Sequence, residues 1–329
     1  MPSTGSAGSR RAIVVVNARA GTLLETGLPT FEQRVSAAFE AVGWQTRIHA
    51  AEGDGLPDAV EQAASESPDI IVIAGGDGTV TALLPLLRRI TVPVGILPLG
   101  TWNLLARDLG LGGTIEENIT ALAGGRTLRV DLVALNDMAF HSNAGLGFFA
   151  TMAREREEAR RRFPFSRVAS ILWAGLRTVL FSRAVHVEIA GDGPRRDVVA
   201  DAVLVTNNRF EGTPWRRARL DEGVLEVHLL RAPGLASRLR CALAFARGTW
   251  RDLPHLDSLV AREIDITRRG HRRSRLAIDG EQRKLSGRLH FRIEAQALPL
   301  VARQTHDTQH EEASGRDPSG ETQSAQKTA

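Results

Sequence analysis

IVIAGGDGTVTALLPLL, residues 71–87, is a fully apolar run that ends in two glycines, an aspartate, a third glycine and a threonine. A helix-like pattern follows. A strand that opens into a helix through Gly75-Gly76-Asp77-Gly78-Thr79 is suited to holding phosphate. Glycines tolerate positive φ and let backbone amides approach an anion closely, and the helix behind them turns its partly positive end to the same place. Thr79 can donate its hydroxyl to a phosphate oxygen. Asp77 is the odd member, because a carboxylate repels phosphates unless a divalent cation or an acceptor hydroxyl lies between them. The competing reading is a tight strand-to-helix turn with Asp77 as its N-cap. The stretch is not a Walker A loop, since no Lys-Ser/Thr follows, and its glycines have the wrong spacing for G-x-G-x-x-G.

The neighbours sharpen the choice. LPLGTWNLLARDLGL (97–111) also follows an apolar strand and sets Gly100, Thr101 and Asn103 at a turn before a helix. VVNARAG (15–21) closes another strand with Asn17 and Gly21. Around them, AIVVVN (12–17), QTRIHA (45–50), DIIVIA (69–74) and VPVGILP (92–98) alternate with helical patterns such as LPTFEQRVSAAFEAVG (28–43). Fully apolar strands alternating with helices predict a parallel sheet covered on both faces, with ligands at the carboxyl ends of its strands. Three phosphate-suited turns on one sheet edge are hard to explain by folding alone.

Beyond RTLRVDLVALND the pattern changes. MAFHSNAGLG, AVHVEIAG, DVVADAVLVTN, GVLEVHLLR, VAREIDITR and RLHFRIEA alternate apolar with polar residues, as antiparallel strands with one buried face do. Within this region AIDGEQRK carries Asp279-Gly280, a strong hairpin-turn signal. The spacing therefore predicts two domains, 11–131 and 132–302, with disordered tails at 1–10 and 303–329.

The net charge is +4, nearly all of it arginine, since Lys284 and Lys327 are the only lysines. Arginine suits phosphate on nucleotides, nucleic acid or lipid; no aromatic-basic platform or recognition helix stands out for nucleic acid. The single Cys241 excludes an internal disulfide framework, and no apolar run approaches a membrane span, which leads us to expect a cytoplasmic protein. The segment 151–181 is arginine-rich in its first part and apolar in its second, with Phe163, Phe165, Trp173 and Phe181. It suits peripheral docking on the anionic inner face of a membrane, with a solvated helix followed by a core helix as the alternative. His141, His186 and His228 lie in strand patterns without metal-ligand spacing. Unpaired sandwich edges could support a homodimer.

Taken together, GGDGT at 75–79, P-x-G-T-x-N-x-x-A at 98–106, RVDLVAL, NAGLGFFATM, RLDEGVLEV and IDGEQ (278–282) resemble, in order, the diacylglycerol kinase and sphingosine kinase catalytic-domain family, especially its soluble bacterial lipid kinases. The resemblance implies an NAD-kinase-like, doubly wound α/β nucleotide domain and a β-sandwich for the lipid, whose last strand can return to the first domain. It implies a kinase that uses ATP and Mg²⁺ to phosphorylate a lipid hydroxyl such as that of diacylglycerol. The ATP site it implies comprises Asn17, Ala18, Arg19, Ala20, Gly21, Gly75, Gly76, Asp77, Gly78, Thr79, Val80, Thr81, Gly100, Thr101 and Asn103. Glu281 would accept the proton, Asp77 would lie at the catalytic Mg²⁺, and Asp279 would support the metal or orient Glu281. A further Mg²⁺ would use the carboxylate of Glu222 and the main-chain oxygens of Arg219 and Val224. The chain departs from the family's first loop, N-P-x-S-G, and has Val80-Thr81-Ala82 where V-N-E is frequent. The rival readings are a kinase of NAD or a sugar-like soluble acceptor, and a non-catalytic nucleotide- or membrane-binding module.

Overall fold

The computed structural model describes residues 9–304 apart from 164–165, 192, 211–216, 218, 233 and 271–272. Most of the two tails expected to be disordered, residues 1–8 and 305–329, lies outside the described residues.

The first part of the chain runs β1 (Arg11–Asn17), α1 (Gly21–Thr26), α2 (Leu28–Ala41), β2 (Gln45–Ala51), α3 (Gly55–Ser65), β3 (Ile70–Gly75), α4 (Asp77–Leu87), β4 (Val94–Pro98), α5 (Leu104–Asp108) and α6 (Ile115–Ala123). Its strands pair in parallel in the order β2-β1-β3-β4. All six residues of β3 are buried, because helices cover both faces of the sheet. The covering helices supply apolar stripes at helical spacing, such as Leu56, Ala59, Val60 and Ala63 on α3. The helix α6 starts with a capping box, in which Thr114 accepts from the Glu117 amide while Glu117 accepts from the Thr114 amide.

The second part runs β5 (Arg126–Leu135), β6 (Met138–Phe140), β7 (Asn143–Gly147), α7 (Phe148–Arg162), α8 (Arg167–Phe181), β8 (Val185–Ala190), β9 (Arg196–Ala200), β10 (Ala202–Asn207), β11 (Leu225–Leu230), α9 (Gly234–Arg247), β12 (Leu256–Ala261), β13 (Glu263–Arg268), β14 (Arg273–Ile278), β15 (Glu281–Ser286) and β16 (Leu289–Ala302). A six-stranded sheet, β12-β11-β10-β7-β14-β15, faces the antiparallel part of a ten-stranded sheet that also contains the four parallel strands. Val205, Val227, Leu276 and Ile278 of the smaller sheet share one core with Val187, Ile266 and Phe291 of the larger. The fold is thus mixed α/β, a doubly covered parallel sheet joined to a β-sandwich.

The join is a strand pair. The antiparallel partners β5 and β16 run from one core into the other, with a bulge between Glu294 and Leu298, and Leu300 of β16 pairs in parallel with Val94 of β4. The change in sequence pattern at 131/132 falls inside β5, where Val130 packs in the first core and Val133 in the second. Cys241 packs in a third apolar cluster, under α7 and α9 on the outer face of the smaller sheet.

Candidate active site

The three glycine- or asparagine-bearing turns follow β1, β3 and β4, which are adjacent in the sheet, so they share one edge. They are tied to one another. Asn17 donates from Nδ2 to Thr79 Oγ1 at 2.9 Å, which leaves the Thr79 hydroxyl proton free for another acceptor. Thr22 donates its hydroxyl to the Leu99 carbonyl at 3.0 Å. Arg19 donates its amide to Asn17 Oδ1, so the first loop folds over its own asparagine.

Glycine is required where the second and third turns meet. A Cβ on Gly100 would stand 2.7 Å from Gly76 Cα, so the two backbones touch and a side chain on either turn would force them apart. Asn103 stabilises the third turn by accepting the Gly100 amide at 2.9 Å and donating to its carbonyl at 2.8 Å. Gly76, in extended conformation, is the N-cap of α4. The alternative N-cap role for Asp77 does not hold, because Asp77 is already the first helical residue. Its carboxylate faces the backbone amides of Leu104 and Leu105 at the start of α5, which favour its charged form. Burial raises the Asp77 pKa; His141 opposes this and the negative Asp279 adds to it.

The opposite wall comes from the β14–β15 hairpin. Its turn residues Asp279 and Gly280 have φ of +47° and +82°, as the Asp-Gly turn signal requires. The tip reaches the GGDGT turn: a Cβ on Gly78 would lie 2.1 Å from Glu281 Oε1. Gly78 therefore leaves the space that the Glu281 carboxylate occupies. Glu281 is half-exposed and pairs with Arg283 at 2.8 Å.

Asp279 has another occupation. One oxygen accepts the amides of Ser142 and Asn143, and the other accepts the His141 amide and the Thr81 hydroxyl at 2.8 Å. With four donors, Asp279 is a clamp that fixes the hairpin tip to β7 and α4. Of the two roles expected of Asp279, metal support or orientation of Glu281, these bonds bear on the second, and Thr81 links α4 to the hairpin. His141, which had no role in the sequence, is buried with Nε2 3.4 Å from Asp279 Oδ2. Neither of its ring nitrogens has a hydrogen-bond partner among the described residues.

Arg156 of α7 was also missed. Its guanidinium lies 6.0 Å from the centre of the Trp102 ring, next to Gly280. Burial and Arg160 lower its pKa, while Asp77 and Glu281 counteract them, so Arg156 is within electrostatic reach of both carboxylates. In the sequence it is one arginine of many.

Of the groups expected to hold a further Mg²⁺, the Glu222 carboxylate pairs with Arg209 at 3.1 Å, and the Val224 carbonyl accepts the Asn208 amide at 2.9 Å. Each keeps a further lone pair. The Arg219 guanidinium is exposed and pairs with Asp221, apart from the main-chain oxygen expected of that residue.

A second pair of carboxylate and arginine joins the halves. Arg217 donates from Nε to Asp108 Oδ2 at 2.8 Å and from Nη1 to the carbonyls of His141 and Asn207, with both charged side chains 1% exposed.

Glycine turns on a parallel sheet edge thus face a carboxylate carried on a sandwich hairpin. Residues 11–135 match the family model described as the diacylglycerol kinase catalytic domain. The diacylglycerol kinase of Bacillus subtilis (strain 168) is 28% identical over 258 residues, 75% of this chain and 83% of its own length. That of Staphylococcus carnosus (strain TM300) is 24% identical over 283 residues, 83% of this chain and 89% of its own. The crystal structure of a diacylglycerol kinase from Bacillus anthracis str. Sterne superposes with a TM-score of 0.66 at 18% identity, covering 89% of this chain and 97% of that one, a likeness of fold.

Proposed function

We propose that this chain is an ATP-dependent lipid kinase, transferring the γ-phosphoryl group to a hydroxyl of a lipid such as diacylglycerol. The observation that carries the reading is the Glu281 carboxylate at Gly78, on the turn best suited to phosphate. In this reading the backbone amides of the glycine turns and the Thr79 hydroxyl hold the phosphates. Glu281 takes the proton from the acceptor hydroxyl as its oxygen bonds to phosphorus and the bond to ADP breaks. Arg156 offsets charge on the transferring group. The buried Asp77 lies within electrostatic reach of a second carboxylate, Asp279, a pairing that fits a cation delivered with the nucleotide. When bound, Mg²⁺ would neutralise phosphate charge there.

The test is transfer from radiolabelled ATP to a lipid panel, followed by organic extraction. Wild type should label an extractable product. Glu281→Gln should cut the rate by about 100-fold or more while nucleotide binding persists. Label confined to the aqueous phase would point to a soluble acceptor, and nucleotide binding without any transfer to a non-catalytic module.

Membrane contact belongs to the same proposal. Val168, Ile171, Leu172 and Leu176 of α8 are each more than 60% exposed, and Leu235 and Leu239 of the adjoining α9 are more than half exposed. Such a stripe bounded by Arg160, Arg161 and Arg162 at the end of α7 fits an anionic lipid surface. No helix among the described residues is long and apolar enough to cross a membrane. Replacing Ile171 and Leu172 by Ser should weaken sedimentation with phosphatidylglycerol vesicles by about tenfold or more, since at roughly 0.8 kcal/mol per buried methylene fewer than two withdrawn methylenes already amount to that. Unchanged sedimentation would remove this surface from the proposal.

A further inference from the structure

Behind the β14–β15 hairpin, under α7 and α8, lies a cavity of about 760 Å³. Its wall carries seven cationic side chains and no carboxylate. Two of them, Arg154 and Arg177, share the carboxylate of Glu155. The other five, Arg183, Arg268, Arg273, Arg275 and Lys284, have no ion pair among the described residues. Arg275 stands directly opposite Lys284 across the hairpin, a like-charge pairing that destabilises a sheet. Burial, and then the neighbouring Arg275, lowers the Arg268 pKa, so this guanidinium too is held against repulsion.

A solvated arginine face would splay its charges into water. Here the loop after α8, the end of β13, both hairpin strands and two helices aim them at one hollow. Such a concentration of a single sign in a concave wall is an anion trap. Arginine forks favour phosphate oxygens in particular. The cavity opens beside the candidate site without merging with it. Gln282 lines the cavity and Glu281 precedes it, so their side chains leave opposite faces of β15. At the other side Phe181, half-exposed at the end of α8, sits on the rim.

We propose that this cavity is a second anion site that takes a phosphate-bearing ligand, either a phospholipid headgroup or a free diphosphate. It rests on the cations and stands whether or not the chain is a lipid kinase.

The experiment compares wild type with Arg268→Gln, Arg275→Gln and the exposed Lys284→Gln, none of which touches the glycine turns. Inorganic pyrophosphate is titrated by calorimetry and by thermal shift, with the change in the variants isolating this site from the cradle. In parallel, each protein is sedimented with phosphatidylcholine vesicles with and without phosphatidylglycerol. The variants should lose about tenfold in affinity per cation removed. Without ligand they should melt no lower than wild type, because repulsion is relieved. Loss with pyrophosphate identifies a soluble ligand, and loss only with phosphatidylglycerol vesicles identifies a headgroup. Variants that bind both probes as wild type does would overturn the proposal, as would a wild type that binds neither.

Discussion

The two halves bring different materials to one cleft. The parallel half contributes backbone: glycines whose amides line an edge, held in place by hydrogen bonds among Asn17, Thr79, Asn103 and Gly100. The sandwich half contributes charge: Glu281 at the hairpin tip, Arg156 on α7 and the Asp279 clamp. A phosphate grip made of backbone tolerates change in side chains but not in shape. A charged wall tolerates small shifts in shape but not the loss of one group. That difference explains how the first loop can lack the proline and serine of the pattern it resembles and still close over Asn17, since its hydrogen bonds run through the asparagine and the main chain.

The strongest way to break the partnership is through the buried pair that joins the halves. Arg217→Leu leaves Asp108 buried without its counter-charge, and chemical denaturation should show a loss of about 3–5 kcal/mol. Adding Asp108→Asn should recover part of it, because the stranded charge is then gone. Full additivity would mean the two residues do not act as a pair.

Gly78→Ala probes the contact between halves with less damage. The new methyl group would occupy the place of Glu281 Oε1, and Glu281, half-exposed, can swing away. The expected result is a fall in kcat of about 10- to 100-fold, the cost of a misplaced base. The melting temperature should hold or rise slightly, since alanine favours a helix more than glycine does. Equal kcat in the two proteins would break the link between this geometry and turnover.

The smallest effect concerns Asp77. Its pKa is raised in the folded protein, so the native state holds the proton more firmly than the unfolded chain. Stability on that account is complete below the unfolded value of about 4, declines as pH rises through the raised folded value, and stays lower above it. Asp77→Asn keeps the shape of the side chain and removes that slope. The variant should gain on wild type between acid and neutral pH in thermal melts, and a pH-independent difference would contradict the assignment.

Much of the parallel half was legible because its signals are local. An apolar strand, a glycine turn and a helical stripe follow within twenty residues, and β3 with α4 lies where the alternation put it. The Asp279-Gly280 turn was equally legible, since positive φ at two successive positions selects those residue types. Other features were hidden. Arg156 sits in a helix crowded with arginines, and only the packing of α7 singles it out. His141 lacked ligand spacing, yet folding places it against Asp279. The pairing of Glu222 with Arg209 likewise has no signal in the spacing.

By itself the amino-acid sequence determined the strand–helix alternation, the three turns and the hairpin, because each depends on backbone conformations that neighbouring residues dictate. Only the tertiary structure decided which charges share a space. Thr81 and Asp279 are 198 residues apart and bonded, and the seven cations of the cavity come from five elements and a loop. Electrostatic energy depends on distance through the folded protein, and distance along the chain says little about that.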